Sequence, residues 1–366
     1  MTPKDYMQMA LDEARKGWGL TGTNPVVGAL IVEDGQVVSL GFHAHFGGPH
    51  AEIEALKNLG RKPSADAVMY VTLEPCCSTG KTGPCTQAII ESGVRKVVLG
   101  AIDPDPRHQG RGVALLNDAG VETEVGVLEG ACEDLNLIFN FSAQEGRPLF
   151  AAKTATTLDG KVSTRSGSSQ WITGEEARRD VMRWRRYFPA IAVGSGTALA
   201  DNPSLTSRLE DSVTCGTRFI FDRRLRTLGQ IDTLKVYNDA FKSKTILVCG
   251  DETDVPKALE SKGIRAWKLP LQSDVLWKRF REKCREESIH GVYFEGGPCL
   301  LSELLSNQEL NYLFAYRAPK FLADSDAPAF VGGQMVDQMS DAYSLEKVQH
   351  GTFSDDQLTR GFINYS

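Results

Sequence analysis

The sequence predicts two α/β domains, and three observations carry that prediction. At 366 residues the chain exceeds what one hydrophobic core ordinarily serves. Strand-like apolar runs alternate with helix-like stretches through both halves. A polar stretch ending in proline, Ser142-Ala-Gln-Glu-Gly-Arg-Pro148, reads as a linker between them. We place the boundary near residue 145, giving domains over 1–145 and 146–366. No internal repeat or low-complexity tract is visible, so the halves read as unrelated domains rather than a duplication.

In chain order, Met1 to Gly17 reads as a helix rather than a targeting segment. Thr2 serves as N-cap, Pro3 takes the first helical position, and Tyr6, Met9, Ala10 and Glu13 follow at helical spacing. Val26 to Glu33 and Gln36 to His43 are β-rich and separated by Asp34-Gly35, a hairpin signal. Ala51–Leu59, Thr86–Ser92 and Gly112–Ala119 are predicted helices, Ala67–Leu73 and Lys96–Ala101 predicted strands, and Ala131–Phe141 a closing helix. In the second half, strands are predicted at Leu149–Thr156, Ala190–Gly194 and Arg218–Phe221, and further apolar runs follow at Thr245–Cys249 and Gly291–Phe294. Helices are predicted over Gly174–Phe188 and Cys299–Leu305, and the pattern between Phe241 and Arg285 gives no clear strand assignment.

Hydrophobic residues at 41% and charged residues at 24% are a globular composition. A formal net charge of -6 argues against a broad nucleic-acid surface, which requires a net basic face. No apolar run approaches the ~20 residues that span a bilayer, so a soluble chain without a membrane partner is expected. Eight cysteines scattered between 76 and 299 form no disulfide framework and suit a reducing, cytoplasmic setting.

The informative cluster is His50-Ala51-Glu52, followed by Pro75-Cys76 and Pro84-Cys85. One imidazole and two thiolates make the three-ligand set of a catalytic zinc site, which leaves the fourth position for water. Cys85 precedes a predicted helix, whose N-terminal N–H groups and dipole favour thiolate. Glu52 is placed to project towards the same centre without being a ligand, as the proton shuttle that zinc nucleobase deaminases require. The alternatives are inert core residues, or a closed structural site completed by Cys77 or His45. Structural sites fill all four positions, and His-x-Glu has no structural purpose in them.

At these residues the N-terminal half resembles the cytidine-deaminase-like superfamily. Asn24-Pro-Val-Val-Gly28, Gly41-Phe-His43, His50-Ala-Glu52, Thr72-Leu-Glu-Pro-Cys76 and Gly80-Lys-Thr-Gly-Pro-Cys85 together resemble one branch, the bifunctional riboflavin-biosynthesis deaminase/reductase. The cysteine spacing separates it from the C-x-x-C of editing deaminases. The resemblance implies a cytidine-deaminase-like α/β/α layered domain, with Zn2+ on His50, Cys76 and Cys85 and Glu52 as the catalytic acid/base. Its substrate is a diaminopyrimidinone carrying a ribose 5-phosphate, which Asn24, His43, Lys81 and Asp103 would contact. Two departures bear on those contacts: Cys77-Ser78 stand where the family commonly has Ser-His, and Asp105 stands where it usually carries Asn.

The second half by itself offers only glycine turns after strands, at Gly194-Ser-Gly-Thr197 and Glu295-Gly-Gly-Pro298. These suit a phosphate but are equally ordinary turns, and no G-x-G-x-x-G opens a βαβ unit. Lys153-Thr-Ala-Thr-Thr-Leu158-Asp-Gly160-Lys161, Ser169-Gln-Trp171-Ile-Thr173, Thr197 to Thr206 and Phe294 to Pro298 resemble the family's reductase domain. That implies a dihydrofolate-reductase-like α/β domain using NADPH to convert a ribosylamino to a ribitylamino group, and assembly as a homodimer or tetramer. Carried over, Ala155, Trp171, Thr197, Asp201 and Gly297 would contact NADPH, and Ser169, Arg185, Leu205, Arg208 and Glu295 the substrate. Arg185 and Arg208 suit the sugar phosphate and Ser163, Thr164 and Arg165 a cofactor 2′-phosphate, although an arginine run such as 178–186 is ordinarily a solvated face and Trp171 equally a core residue. A competing reading is a nucleobase or nucleic-acid deaminase with an accessory C-terminal ligand-binding module, and a third is a scaffold protein with structural zinc.

Overall fold

The computed structural model describes residues 1–78, 83–209, 212–333 and 336–365, and the chain divides into two compact units, Met1–Arg147 and Pro148–Ser366. In the first, the elements run α1 (Pro3–Ala14), β1 (Gly28–Glu33), β2 (Gln36–Phe42), α2 (Ala51–Leu59), β3 (Val68–Leu73) and α3 (Cys85–Ser92). They continue through β4 (Lys96–Ala101), α4 (Arg111–Asp118), β5 (Glu122–Val125), α5 (Glu129–Leu135) and α6 (Leu137–Glu145). Thr2 and Asp5 form a reciprocal capping box at the head of α1, with Pro3 inside it. Asp34 and Gly35 both take positive φ (48° and 72°), as a two-residue hairpin loop requires.

The five strands lie in the order β2-β1-β3-β4-β5, with β1 antiparallel to both neighbours and β3, β4 and β5 parallel. Alternation along β1 sends Ala29 and Ile31 to one face, where they pack with Ala51, Ala55, Ile89 and Leu116 of α2, α3 and α4. Leu30 and Val32 face α1 and α5 through Met7, Leu11, Cys132 and Leu135. The result is an α/β/α sandwich. Gly41 lets α2 lie directly on β2, because a Cβ there would overlap Ala51 O and Ala55 N.

One helix expected over 131–141 is two. The break falls at Asn136, whose side chain accepts from Val26 N at 2.7 Å and donates to Val26 O at 2.9 Å. An Asn that satisfies a buried strand-like backbone does so by leaving the helix. The polar stretch after it is not an open linker, since α6 runs to Glu145 and Gly146 closes it in the left-handed conformation.

The second unit runs β6 (Leu149–Thr156), α7 (Glu175–Tyr187), β7 (Ala190–Gly194), α8 (Ser195–Asp201), β8 (Ser207–Leu209), β9 (Ser212–Thr214), β10 (Thr217–Phe221) and α9 (Lys235–Asn238). There follow β11 (Thr245–Gly250), α10 (Lys257–Ser261), β12 (Arg265–Leu269), α11 (Ser273–Glu286), β13 (Gly291–Phe294), α12 (Pro298–Ser306), β14 (Tyr312–Arg317), β15 (Ser344–Phe353) and β16 (Asp356–Asn364). Its main sheet has the order β12-β11-β10-β7-β13-β6-β14-β16-β15, parallel from β12 to β14 and antiparallel thereafter, while β8 and β9 pair separately. One face is an aromatic core of Phe150, Phe219, Phe221, Trp277, Phe280 and Phe294. On α7, Trp184 packs on Phe314 at 4.6 Å between ring centres, and just beyond its end Phe188 stacks on Tyr293 at 4.9 Å. Strand β12 was unreadable because Arg265 and Lys268 interrupt its apolar residues. The antiparallel edge was equally unreadable because β15 is mostly exposed. No helix among the described residues is long and apolar enough to cross a membrane.

Arg218 of β10 is fully buried, with Nη1 and Nη2 on the Asp239 carboxylate (2.6 and 2.9 Å), Nε on Thr245 Oγ1, and further bonds to Ser204 O and Val236 O. Arg218→Ala takes the ion pair from Asp239 and one donor each from Ser204 O and Val236 O, so urea unfolding should show a loss of about 3 kcal/mol or more. A loss under about 1 kcal/mol would mean that the network contributes little.

Candidate active sites

Three elements meet at the cluster of His50, Cys76 and Cys85. His50 stands at the N-cap of α2, Cys85 is the first residue of α3, and Cys76 follows the end of β3. His50 Nδ1 lies 3.2 Å from Cys85 Sγ and 3.5 Å from Cys76 Sγ, and Cys85 N–H donates to Cys76 Sγ at 3.4 Å. The three ligand atoms are within 4.8 Å of one another, and neither Cys77 nor His45 joins them among the described residues. One imidazole and two thiols converging with no fourth protein donor among the described residues is a donor set that fits zinc with one open position, rather than a closed structural site. Hydrogen bonds from Cys85 and His50 draw the Cys76 thiol down to about 4, while the bond to Cys76 and burial push Cys85 up. Glu52 is only 3% exposed, and burial raises its carboxyl above the ordinary range.

His43 and Asn24 adjoin this cluster. The His43 ring meets His50 edge-on at 5.4 Å; its Nδ1 is 2.9 Å from Pro49 O and its Nε2 3.1 Å from Asn24 Nδ2. A carbonyl on one side and an amide nitrogen on the other assign the proton to Nδ1 and make Nε2 the acceptor. Burial lowers the pKa of His43 and favours that neutral form. Asp103 is partly buried, accepts from Asp105 N at 2.9 Å, and has its carboxyl raised by burial. Asp105, the residue at the expected Asn position, is engaged by Arg107 through Nε at 3.0 and 3.1 Å and Nη2 at 2.5 Å. Lys81 lies outside the described residues.

In the second unit the candidates gather where β6, β7 and β13 end side by side, the place where parallel α/β sheets ordinarily take ligands. Gly297 N–H donates to Thr197 Oγ1 at 3.1 Å, tying the turn after β13 to the turn after β7. Ala155 sits near the end of β6 and Asp201 ends α8. Arg185 of α7 grips Glu295 with Nε at 2.6 Å and Nη2 at 2.8 Å while Nη1 bonds Thr206 O at 3.0 Å, and both side chains are nearly buried. Arg185, read as a partner for the sugar phosphate, is thus held in an ion pair with Glu295, which is also read as a substrate residue. Arg208 is exposed on β8, whereas Leu205 is 1% exposed at φ 52°.

Trp171 is 64% exposed with the Arg178 guanidinium 4.6 Å from its ring centre, so it is no core residue. Ser169, two residues before it, is partly exposed. Arg165, read as a partner for a 2′-phosphate, spends its guanidinium on Asp324 (2.6 and 3.1 Å) and Asp326 (3.0 Å). Lys153 opens one of the reductase-like motifs, but the sequence assigns it no role of its own. Burial lowers its pKa, and it feels the charges of Glu295, Arg185 and Asp201. Its signal was a lysine inside the otherwise small and apolar strand Leu149-Phe-Ala-Ala-Lys-Thr-Ala-Thr156.

Residues 148–359 match the family described as RibD C-terminal domain, and residues 1–101 match the cytidine and deoxycytidylate deaminase zinc-binding region. Riboflavin biosynthesis protein RibD of Actinobacillus pleuropneumoniae is 37% identical over 359 residues, covering 94% of this chain and 91% of that protein. Its counterpart in Aquifex aeolicus is 39% identical over 321 residues, with 88% of each covered. The crystal structure of a diaminohydroxyphosphoribosylaminopyrimidine deaminase/5-amino-6-(5-phosphoribosylamino)uracil reductase from Thermotoga maritima is similar at a TM-score of 0.81 and 32% identity, covering 100% of this chain and 99% of that one. Acinetobacter baumannii RibD matches at 0.78 and 30%, over 99% of both chains. With likeness of this extent across both units, the chain belongs to the RibD family of bifunctional riboflavin-biosynthesis enzymes, which join a deaminase to an NADP-dependent reductase.

Proposed function

We propose that the first unit hydrolytically deaminates 2,5-diamino-6-(5-phosphoribosylamino)pyrimidin-4(3H)-one and that the second reduces the ribosyl group of the product to ribityl with NADPH. The observation that carries the first half is the His50–Cys76–Cys85 cluster with a buried, non-ligating Glu52 two residues beyond the histidine. Zinc held by those three residues supplies a nucleophile at neutral pH by acidifying water. Glu52 would take the proton given up by that water and pass it to the ring nitrogen as the amino-bearing carbon is attacked, then take the second proton from the hydroxyl now on that carbon and deliver it to the amino group, which leaves as ammonia. Its burial-raised carboxyl suits a group that must hold a proton between two transfers. Asn24 and His43 orient the pyrimidine, Asp103 contacts its polar edge, and Lys81 is assigned to the phosphate.

For the second half, NADPH supplies hydride to the anomeric carbon, and Ala155, Trp171, Thr197, Asp201 and Gly297 are assigned to hold it. Opening the ribose needs a proton on the ring oxygen as its bond to that carbon breaks. Lys153 is the candidate donor, since its ammonium is made more acidic by burial and lies among Glu295, Arg185 and Asp201. Ser169, Leu205 and Arg208 are assigned to the substrate, with Arg185 acting as an ion pair with Glu295. Assembly as a homo-oligomer and a cytoplasmic setting belong to the same reading.

Glu52→Gln should keep about one zinc per chain and lose ammonia release by about 10²–10⁴-fold, the usual worth of a positioned acid/base, with NADPH oxidation of the deaminated compound unchanged. Full ammonia turnover with zinc retained would remove Glu52 from the chemistry. Lys153→Met should do the converse, lowering NADPH oxidation by about 10²-fold or more while ammonia release continues. An unaltered reduction rate would rule the lysine out as proton donor.

A further inference from the structure

Glu74 is a buried carboxylate, 5% exposed, immediately before Pro75-Cys76, and among the described residues no cation pairs with it. Its oxygens are instead met by four backbone N–H groups of one distant loop. Oε1 accepts from Gly112 at 2.7 Å and Val113 at 3.2 Å, and Oε2 from Gly110 at 2.9 Å and Asp103 at 3.1 Å. Its own N–H donates to Ala101 O at 2.9 Å, at the end of β4. A charge carried this far from water is costly, and four hydrogen bonds, three of them at the N-terminus of α4, offset that cost only while the loop keeps its place.

The other side of the contact is equally constrained. A Cβ on Gly112 would overlap Pro75 O and approach Glu74 Oε1 to 3.1 Å, so the head of α4 rests on the backbone next to the ligand Cys76. The bonded loop begins at Asp103 and carries the Asp105–Arg107 pair. One side chain thus holds the segment of a metal ligand to the segment of a substrate contact. A plain helix cap would be a Ser, Thr, Asp or Asn at Gly110, next in chain to the helix it closes. Here the N-cap Gly110 contributes no side chain, and the cap comes from the end of another strand.

We infer that Glu74 is a positioning residue of the deaminase, holding the loop that starts at Asp103 in register with Cys76. The inference rests on the assignment of Asp103 to the substrate. In Glu74→Gln the amide keeps one acceptor and turns an NH2 against two of the four N–H donors. Gly112→Ala pushes the same loop away with the carboxylate intact, and carries the test if the first variant folds poorly.

In the zinc-loaded full chain, both variants should raise the deaminase KM about tenfold or more while kcat stays within about threefold, as loss of charged hydrogen bonds that only place the substrate would do. Bound zinc should remain near one per chain, hydrogen exchange at the Gly110, Gly112 and Val113 amides should accelerate, and NADPH oxidation of the deaminated compound should be unchanged. Asp103→Ala tests the underlying assignment: if it leaves KM unaltered, the substrate reading of the loop fails. If it raises KM while both variants keep a normal one, the positioning role is overturned. Loss of zinc together with kcat in the variants would overturn it as well, leaving Glu74 in the service of Cys76 alone.

Discussion

The first unit is organised by the need to bring two thiols and an imidazole within 4.8 Å of one another beside a buried carboxylate. Sulfur and imidazole donors at that distance require three chain segments to end in the same place. The sheet does this by starting α2 with His50, starting α3 with Cys85, and ending β3 just before Cys76. Close packing follows from it. Gly41 lets α2 approach the sheet, so that His50 and Glu52 reach the centre from one turn of helix. Burial of Glu52 raises its carboxyl above the ordinary range, which suits a group that takes up and gives back protons.

The second unit meets a different demand with a different device. Reduction at a sugar carbon needs a cofactor, a substrate and a proton source side by side, and parallel strands ending together provide the floor for all three. Arg185 and Lys153 are set against Glu295 and Asp201, so two cations meet two anions at this end of the sheet.

Much of this was legible beforehand, and for identifiable reasons. The hairpin at Asp34-Gly35, the capped first helix and the zinc-type cluster depend on local chemistry that a few neighbouring residues announce. What stayed hidden depends on partners far along the chain. Asn136 breaks a helix because Val26 lies beside it. The ion pairs of Arg185 and Arg165 are invisible in the sequence because their carboxylates, at 295 and 324, are remote along the chain. Lys153 looked like one residue of a motif until burial beside Glu295 gave it a distinct chemistry, and the exposed edge strand β15 carries too few apolar residues to be recognised by pattern.

The central claim is that one chain performs a metal-dependent deamination whose product is the substrate of its own reductase. It is tested most directly by following ammonia release and NADPH oxidation together on the diaminopyrimidinone ribosyl phosphate, with and without prior chelation of the purified protein. The account predicts ammonia first and NADPH loss after it. Chelation should abolish both signals with this substrate but spare NADPH oxidation when the deaminated compound is supplied directly. NADPH consumption from the diamino compound in the chelated sample, or ammonia release indifferent to chelation, would contradict it.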